Sequence, residues 1–332
     1  MMRLAHTSPF HAAPRAIERF AGRRVQILFG LAVAVGITLS AIVQTVAAER
    51  VIQDATGRSV KIGGTDRIVT IGGDITEIVF ALGAGDRVIA RDTTSSYPPE
   101  AAAKPDVGYM RALSAEGVLS VKPDLIIAVE GSGPKDAVDL LESASVPIVI
   151  VPERRSGDSI VAKIRLIADI LGEKEKGDKL ADTLEARFAA LEGAIAKIPE
   201  GERKKAVFLM SLNGGKPLAA GHNTAADSII AMAGGVNPMG AVEGYKPASD
   251  EALIAAAPEV VVMMIGQSGP PKPEVVFDSP SLRATPAAQN KALVAMDGLY
   301  LLGFGPRTAD AARELAHALY PSLDLPEWPA AN

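Results

Sequence analysis

The sequence predicts an α/β protein: two Rossmann-like lobes with parallel sheets, joined by one long backbone helix, with a ligand cleft between the lobes. Three observations carry this. From Arg67 onward, short β-branched runs alternate with helical stretches, the signature of parallel α/β layers. The pattern occurs twice and contains an internal repeat. Between the two halves lies a charged, amphipathic stretch without an internal proline. The expected organisation is a signal peptide at 1–48, a first lobe at 49–172, a connecting helix at 173–198 and a second lobe at 199–332.

At the N-terminus, Arg15, Arg19, Arg23 and Arg24 precede an uncharged apolar run from Ile27 to Val43, and Ala47 and Ala48 follow. A basic region, an apolar region and a small-residue exit form a secretory signal, with cleavage expected after Ala48. The run also approaches the length of a membrane span, so an uncleaved anchor is the alternative. Arg23-Arg24 leaves the choice between the general and twin-arginine export routes open. There is no cysteine. A large core needs no disulfides, and a chain without a thiol cannot be lipidated through one. A freely diffusing exported protein of this kind is expected in the periplasm. The leader holds five arginines and one glutamate (+4), so the whole-chain charge of −5 leaves −9 on the rest. That balance excludes nucleic acid as a natural partner.

Strands are expected at Ile68–Ile71, Val88–Ala90, Leu125–Val129 and Ile148–Val151 in the first half. The second half offers Ala206–Met210, Val260–Ile265 and Leu293–Met296. The repeat pairs Ser114-Ala-Glu116, running on to Pro123 and an apolar strand, with Ser249-Asp-Glu251, running on to Pro258 and another. A weaker pair sets Asp74-Ile-Thr-Glu77 against Thr224-Ala-Ala-Asp227. Each member has capping-box spacing and a glycine-rich end. The connecting stretch carries Leu180, Leu184, Phe188, Leu191 and Ile195 at helical spacing; an ordinary packed helix of one lobe is the alternative.

Open α/β sheets bind ligands beyond the C-terminal ends of their strands. The loops there carry Tyr97, Tyr109 and Tyr245, three of the five tyrosines. Gly83-Ala-Gly85 lacks the third glycine of a dinucleotide loop and closes a helix instead of opening one. Past the leader only His222 and His317 remain, and no catalytic-zinc motif or nucleophile–base pair is visible. An enzyme is therefore not expected.

Asp92-Thr-Thr-Ser-Ser-Tyr97-Pro, Asp106-Val-Gly-Tyr109-Met-Arg111, Ala219-Ala-Gly-His222-Asn and Leu301-Leu-Gly-Phe-Gly resemble the periplasmic haem-binding proteins of bacterial ABC haem importers. The wider family also carries ferric siderophores and cobalamin. The resemblance runs from about Arg67 to Leu319. It implies ferric haem b as the transported ligand, Tyr109 as axial iron ligand and Arg111 beside it, stabilising the phenolate. Tyrosine ligation of haem has precedent. Extended backbone would put the two side chains on one side. Some members add a histidine from the other lobe, where this chain has Leu212 and Asn213; His222 is the substitute at hand. Further cleft contacts are expected from Tyr97, Asn213, Tyr245 and Lys246, with Arg91, Lys246 and Arg307 as propionate partners. Glu116 and Glu251 are expected to dock on the two permease subunits of an importer driven by its ATPase subunits. The chain is expected to act as a monomer.

Overall fold

The alternation read from sequence becomes two sheets. The structure is a computed structural model and describes residues 50–212, 216–266 and 269–328. The expected leader and Asn213 lie outside the described residues. The chain opens on an antiparallel hairpin of β1 (Arg50–Gln53) and β2 (Ser59–Ile62). The first lobe comprises β3 (Ile68–Ile71), α1 (Gly73–Ala81), β4 (Val88–Arg91), α2 (Pro99–Ala102) and α3 (Ala115–Ser120). It continues with β5 (Leu125–Val129), α4 (Lys135–Ser143), β6 (Ile148–Val151) and α5 (Gly157–Leu171). The long helix α6 spans Lys174–Ile195.

The second lobe runs through β7 (Ala206–Ser211), β8 (Leu218–Ala220), α7 (Ala225–Met232), β9 (Tyr245–Pro247), α8 (Asp250–Ala256) and β10 (Val260–Met264). It ends with α9 (Pro273–Phe277), α10 (Pro286–Gln289), β11 (Leu293–Met296), α11 (Gly298–Leu302) and α12 (Thr308–Leu319).

The first sheet has the order β4-β3-β5-β6 and is parallel throughout. The second has the order β11-β10-β7-β8-β9. Its β7, β10 and β11 are parallel, but β8 and β9 join antiparallel, so this sheet is mixed. Both antiparallel strands are three residues long and lack a β-branched run, which hid them from the periodicity. Among the described residues no helix is long and apolar enough to cross a membrane.

The strong repeat is real in three dimensions. Ser114 and Ser249 cap α3 and α8 through their hydroxyls, and each helix leads into a strand beside the first strand of its sheet. The weaker repeat needs correction at its caps. Helix α1 starts on Gly72, and no Asp74–Glu77 capping box forms. Its first amides are held by Asp92 Oδ1 (3.0 Å to Gly72 N) and Thr94 Oγ1 (3.1 Å to Gly73 N) from the neighbouring loop. Asp74 is thereby free to pair with Lys163, buried in α5. On α7 only half a box exists: Thr224 accepts from Asp227 N, while the Asp227 carboxylate accepts from Asn237.

Helix α6 meets both lobes. Its first half lies on α5, where Gly177 permits an approach so close that an added Cβ would sit 2.2 Å from Ala168 Cβ. Further along, Arg187 Nη1 pairs with Asp310 of α12 at 3.1 Å, and Ile195 packs where Gly234 leaves room. One continuous apolar core runs beneath it, from Ile68 and Leu125 through Ile164 and Leu184 to Phe208 and Leu315. The outer face of each sheet has its own smaller core.

Candidate functional site

Tyr109 stands on a turn pinned from both sides. Asp106 carries the first anchor: its carboxylate pairs with Arg91 Nη1 at 2.6 Å and accepts from Gly108 N at 2.8 Å. Gly108 has φ near +103°, a conformation open to glycine, and its carbonyl accepts from Thr93 N at 3.0 Å. On the far side, Gly133 N donates to Met110 O and Leu113 N donates to Gly133 O, both at 2.8 Å. Met110 is half-buried against the core, whereas Tyr109 and Arg111 point outward. The tyrosine is 42% exposed.

Arg111 Nη1 donates to Tyr109 Oη at 3.2 Å. The backbone that allows this is a tight turn, with Ala112 N donating to Tyr109 O at 2.7 Å, and not the extended segment expected from the spacing. The guanidinium thus lies within hydrogen-bond distance of the phenol oxygen.

Across the opening stands Tyr245 of β9. It is half-buried, edge-on to Phe208 with ring centroids 6.3 Å apart, and hydrogen-bonded toward Ala226 and Thr224. Burial pushes its hydroxyl up, while Arg155 and Arg111 pull the other way. Arg111 and Tyr245 thus come from opposite lobes into one electrostatic neighbourhood. Lys246, next along β9, is exposed. His222 is exposed too; its backbone pairs with residues 242–244, from Val242 O at 2.7 Å to Gly244 N at 3.0 Å. Leu212 is half-buried beside the second-lobe core.

Tyr97 lies elsewhere, in the seam between the lobes. Arg307 of the second lobe stacks over its ring at 3.5 Å. The same guanidinium grips Glu77 through two hydrogen bonds, Nε to Oε1 at 3.0 Å and Nη2 to Oε2 at 2.8 Å. Arg91 and Arg307, expected as anion partners, are both closed by carboxylates. In the motif Asp92-Thr-Thr-Ser-Ser, Asp92 and Ser95 are buried, Thr94 is half-buried, and Thr93 and Ser96 are exposed. Asp92 is fully buried and accepts from Gly72 N, Thr94 and Ser95.

Glu116 and Glu251 are both exposed, each the second residue of a serine-capped helix in its lobe. Glu251's carboxyl is held below its ordinary value by its own backbone N–H and by Ser249. Sequence reasoning missed Arg155, Lys163 and the Glu77–Arg307 pair. Lys163 and Arg307 find their partners 10 to 230 positions away, so no local spacing announces them. Two cavities of about 550 Å³ each flank α6, one lined by Arg155 and Asp227, the other by Glu77 and Arg307. Neither reaches Tyr109, whose surroundings form an open face. Among the described residues no cluster of His, Cys, Asp and Glu could hold a metal ion.

Known proteins share this architecture. The chain is similar to the periplasmic heme-binding protein RhuT from Roseiflexus sp. RS-1, with 38% sequence identity and a TM-score of 0.71, over 78% of this chain and 99% of that one. The uncharacterized ABC transporter substrate-binding lipoprotein YvrC of Bacillus subtilis is 26% identical over 81% of this chain and 85% of its own length. A vitamin B12-binding protein of Photorhabdus laumondii is 26% identical over 76% of this chain and 87% of its own length. The profile of the periplasmic binding protein family matches residues 68–299, which cover both sheets and the helix between them. The chain belongs to the periplasmic binding protein family.

Proposed function

We propose that this protein captures ferric haem between its lobes, with the Tyr109 phenolate as axial ligand, and delivers it to an ABC importer of the inner membrane. The observation that carries this reading is the exposed Tyr109 hydroxyl with Arg111 Nη1 at 3.2 Å. Ferric iron is a hard Lewis acid that favours an anionic oxygen, and the guanidinium stands beside the oxygen that would bind it. Leu212 offers no donor to iron, and a single tyrosinate bond gives five-coordinate haem. The likeness to a heme-binding protein at 38% identity supports the same ligand.

Cobalamin is the competing cargo, because a vitamin B12-binding protein is among the relatives. Cobalamin presents its corrin already ligated and does not call for an arginine-supported phenolate. Titration of the purified protein with haem and with cobalamin, wild type beside Tyr109→Ala, separates the two. We expect saturable haem uptake with a high-spin tyrosinate spectrum, lost in Tyr109→Ala, and no comparable response to cobalamin. Saturable cobalamin binding without a Soret change would replace the haem reading.

Export through the leader at 1–48 fits this role, and a chain without cysteine offers no thiol for a lipid anchor of the kind named in the Bacillus relative. In this reading Glu116 and Glu251, one exposed acid on each lobe, meet the two permease subunits.

A further inference from the structure

Haem carries two propionate carboxylates, which pair best with guanidinium groups. The cations expected from sequence do not offer them. Arg91 is closed by Asp106 at 2.6 Å and Arg307 by Glu77 at 2.8 Å, while Arg154 donates to Glu130 Oε2 at 2.6 Å. Arg155 differs from these. Its Nε is buried and has no hydrogen-bond partner among the described residues. The carboxylate oxygen paired with it, Glu153 Oε1, is 3.7 Å away, beyond hydrogen-bond range, and the other Glu153 oxygen is held by Lys163 at 3.0 Å.

Four other arginines bury an unsatisfied Nε. Arg50 and Arg91 hydrogen-bond through their Nη atoms, and Arg313 lies over the Trp328 ring. Arg203 precedes β7, at the opposite end of that strand from the cleft. Arg155 lies at the C-terminal end of a strand, just past β6, where the first lobe faces the second; Arg91 ends β4 in the same way but is taken by Asp106. It lines a cavity of about 550 Å³ with Asp227, Ser228 and Met232 of α7. A buried donor without an acceptor is costly to maintain, and a ligand carboxylate would satisfy it.

We propose that Arg155 binds a haem propionate, so that Tyr109 fixes the iron and Arg155 fixes the orientation of the porphyrin edge; this rests on the haem reading above. The test compares haem with its dimethyl ester, in which both carboxylates are blocked, on purified wild-type and Arg155→Gln protein. Thermal melts confirm that both are folded. The variant is expected to bind haem about tenfold more weakly, as the loss of one charge-assisted hydrogen bond implies. It should keep the tyrosinate spectrum and bind the ester as wild type does. Arg155→Lys should recover part of the loss. Equal weakening toward both ligands would make Arg155 a support of the fold and overturn the proposal, as would unchanged haem affinity. A wild type without a saturable Soret change would end the haem reading itself, before any variant is compared.

Discussion

Tyr109 owes its presentation to residues that never enter the cleft. Asp106 and Gly108 fix the turn from one side, Gly133 from the other, and Met110 anchors it to the core. Arg111 is the neighbour that touches the phenol oxygen, so its removal should act on the ligand bond and not on the fold. Arg111→Gln is expected to weaken haem binding about 10–100-fold, the usual effect of losing a group that orients a metal ligand. The Tm should stay within about 1 °C, since substitutions at exposed positions seldom alter stability much. His222→Ala should leave both affinity and spectrum unchanged, because that histidine is exposed and its backbone makes the contacts. Spectrophotometric titration of both variants checks the pair; a spectral change in His222→Ala would show a second axial ligand. At this scale the tyrosine and its arginine were legible, because a short motif holds both. Arg155 was not, because its meaning lies in a missing partner that only the fold reveals.

The elements show why the repeat is functionally informative. In both lobes a serine caps a short helix, an acid follows two positions later, and a buried strand runs away beneath. Asp and Glu favour helix N-termini, which accounts for one such acid in each lobe. It does not require both to be exposed at equivalent sites. Two matching acids suit a transporter built from paired permease subunits. Glu116→Lys with Glu251→Lys is expected to abolish stimulation of haem uptake in proteoliposomes carrying the cognate importer, while haem affinity in solution stays at the wild-type value. Lost haem binding would move these acids into the pocket; undiminished uptake would leave them as helix-end residues alone. The strands that carry these helices were readable from their β-branched runs. The short antiparallel strands β8 and β9 were not, because three residues held by antiparallel pairing need no apolar pattern. Nor were the caps of α1, since Asp92 and Thr94 reach them across some 20 residues of chain.

Across the whole molecule, the lobes are tied by more than the long helix. The core is continuous beneath α6, and the seam above it is closed by Glu77 and Arg307, whose side chains are 5% and 15% exposed. Tyr97 lies under the guanidinium, and Gly73 is packed so closely on Leu299 that an added Cβ would sit 2.5 Å from its Cδ1. Hinging of one lobe on the other would break this bidentate pair and strand both charges. The pair thus opposes opening of the seam between the lobes. Burial pushes Glu77's carboxyl up despite the hydrogen bonds from Arg307, so for this carboxylate desolvation outweighs the attraction. Such pairs add little over an apolar replacement, yet removing one partner leaves an uncompensated buried charge. Glu77→Ala should therefore destabilise the protein by about 3–5 kcal/mol, a fall in Tm on the order of 10 °C. Replacing both partners, Glu77→Leu with Arg307→Met, should restore much of that loss. Calorimetry on the single and double variants measures it. Because the pair is shielded from solvent, the penalty should change little between low and high salt. If the double variant were as unstable as the single, the seam would depend on the charges themselves and not on the absence of an unpaired one. Small-angle scattering on the single variant then tests the consequence: a broader spread of lobe separations and faster haem release should appear together, since the same pair would govern both.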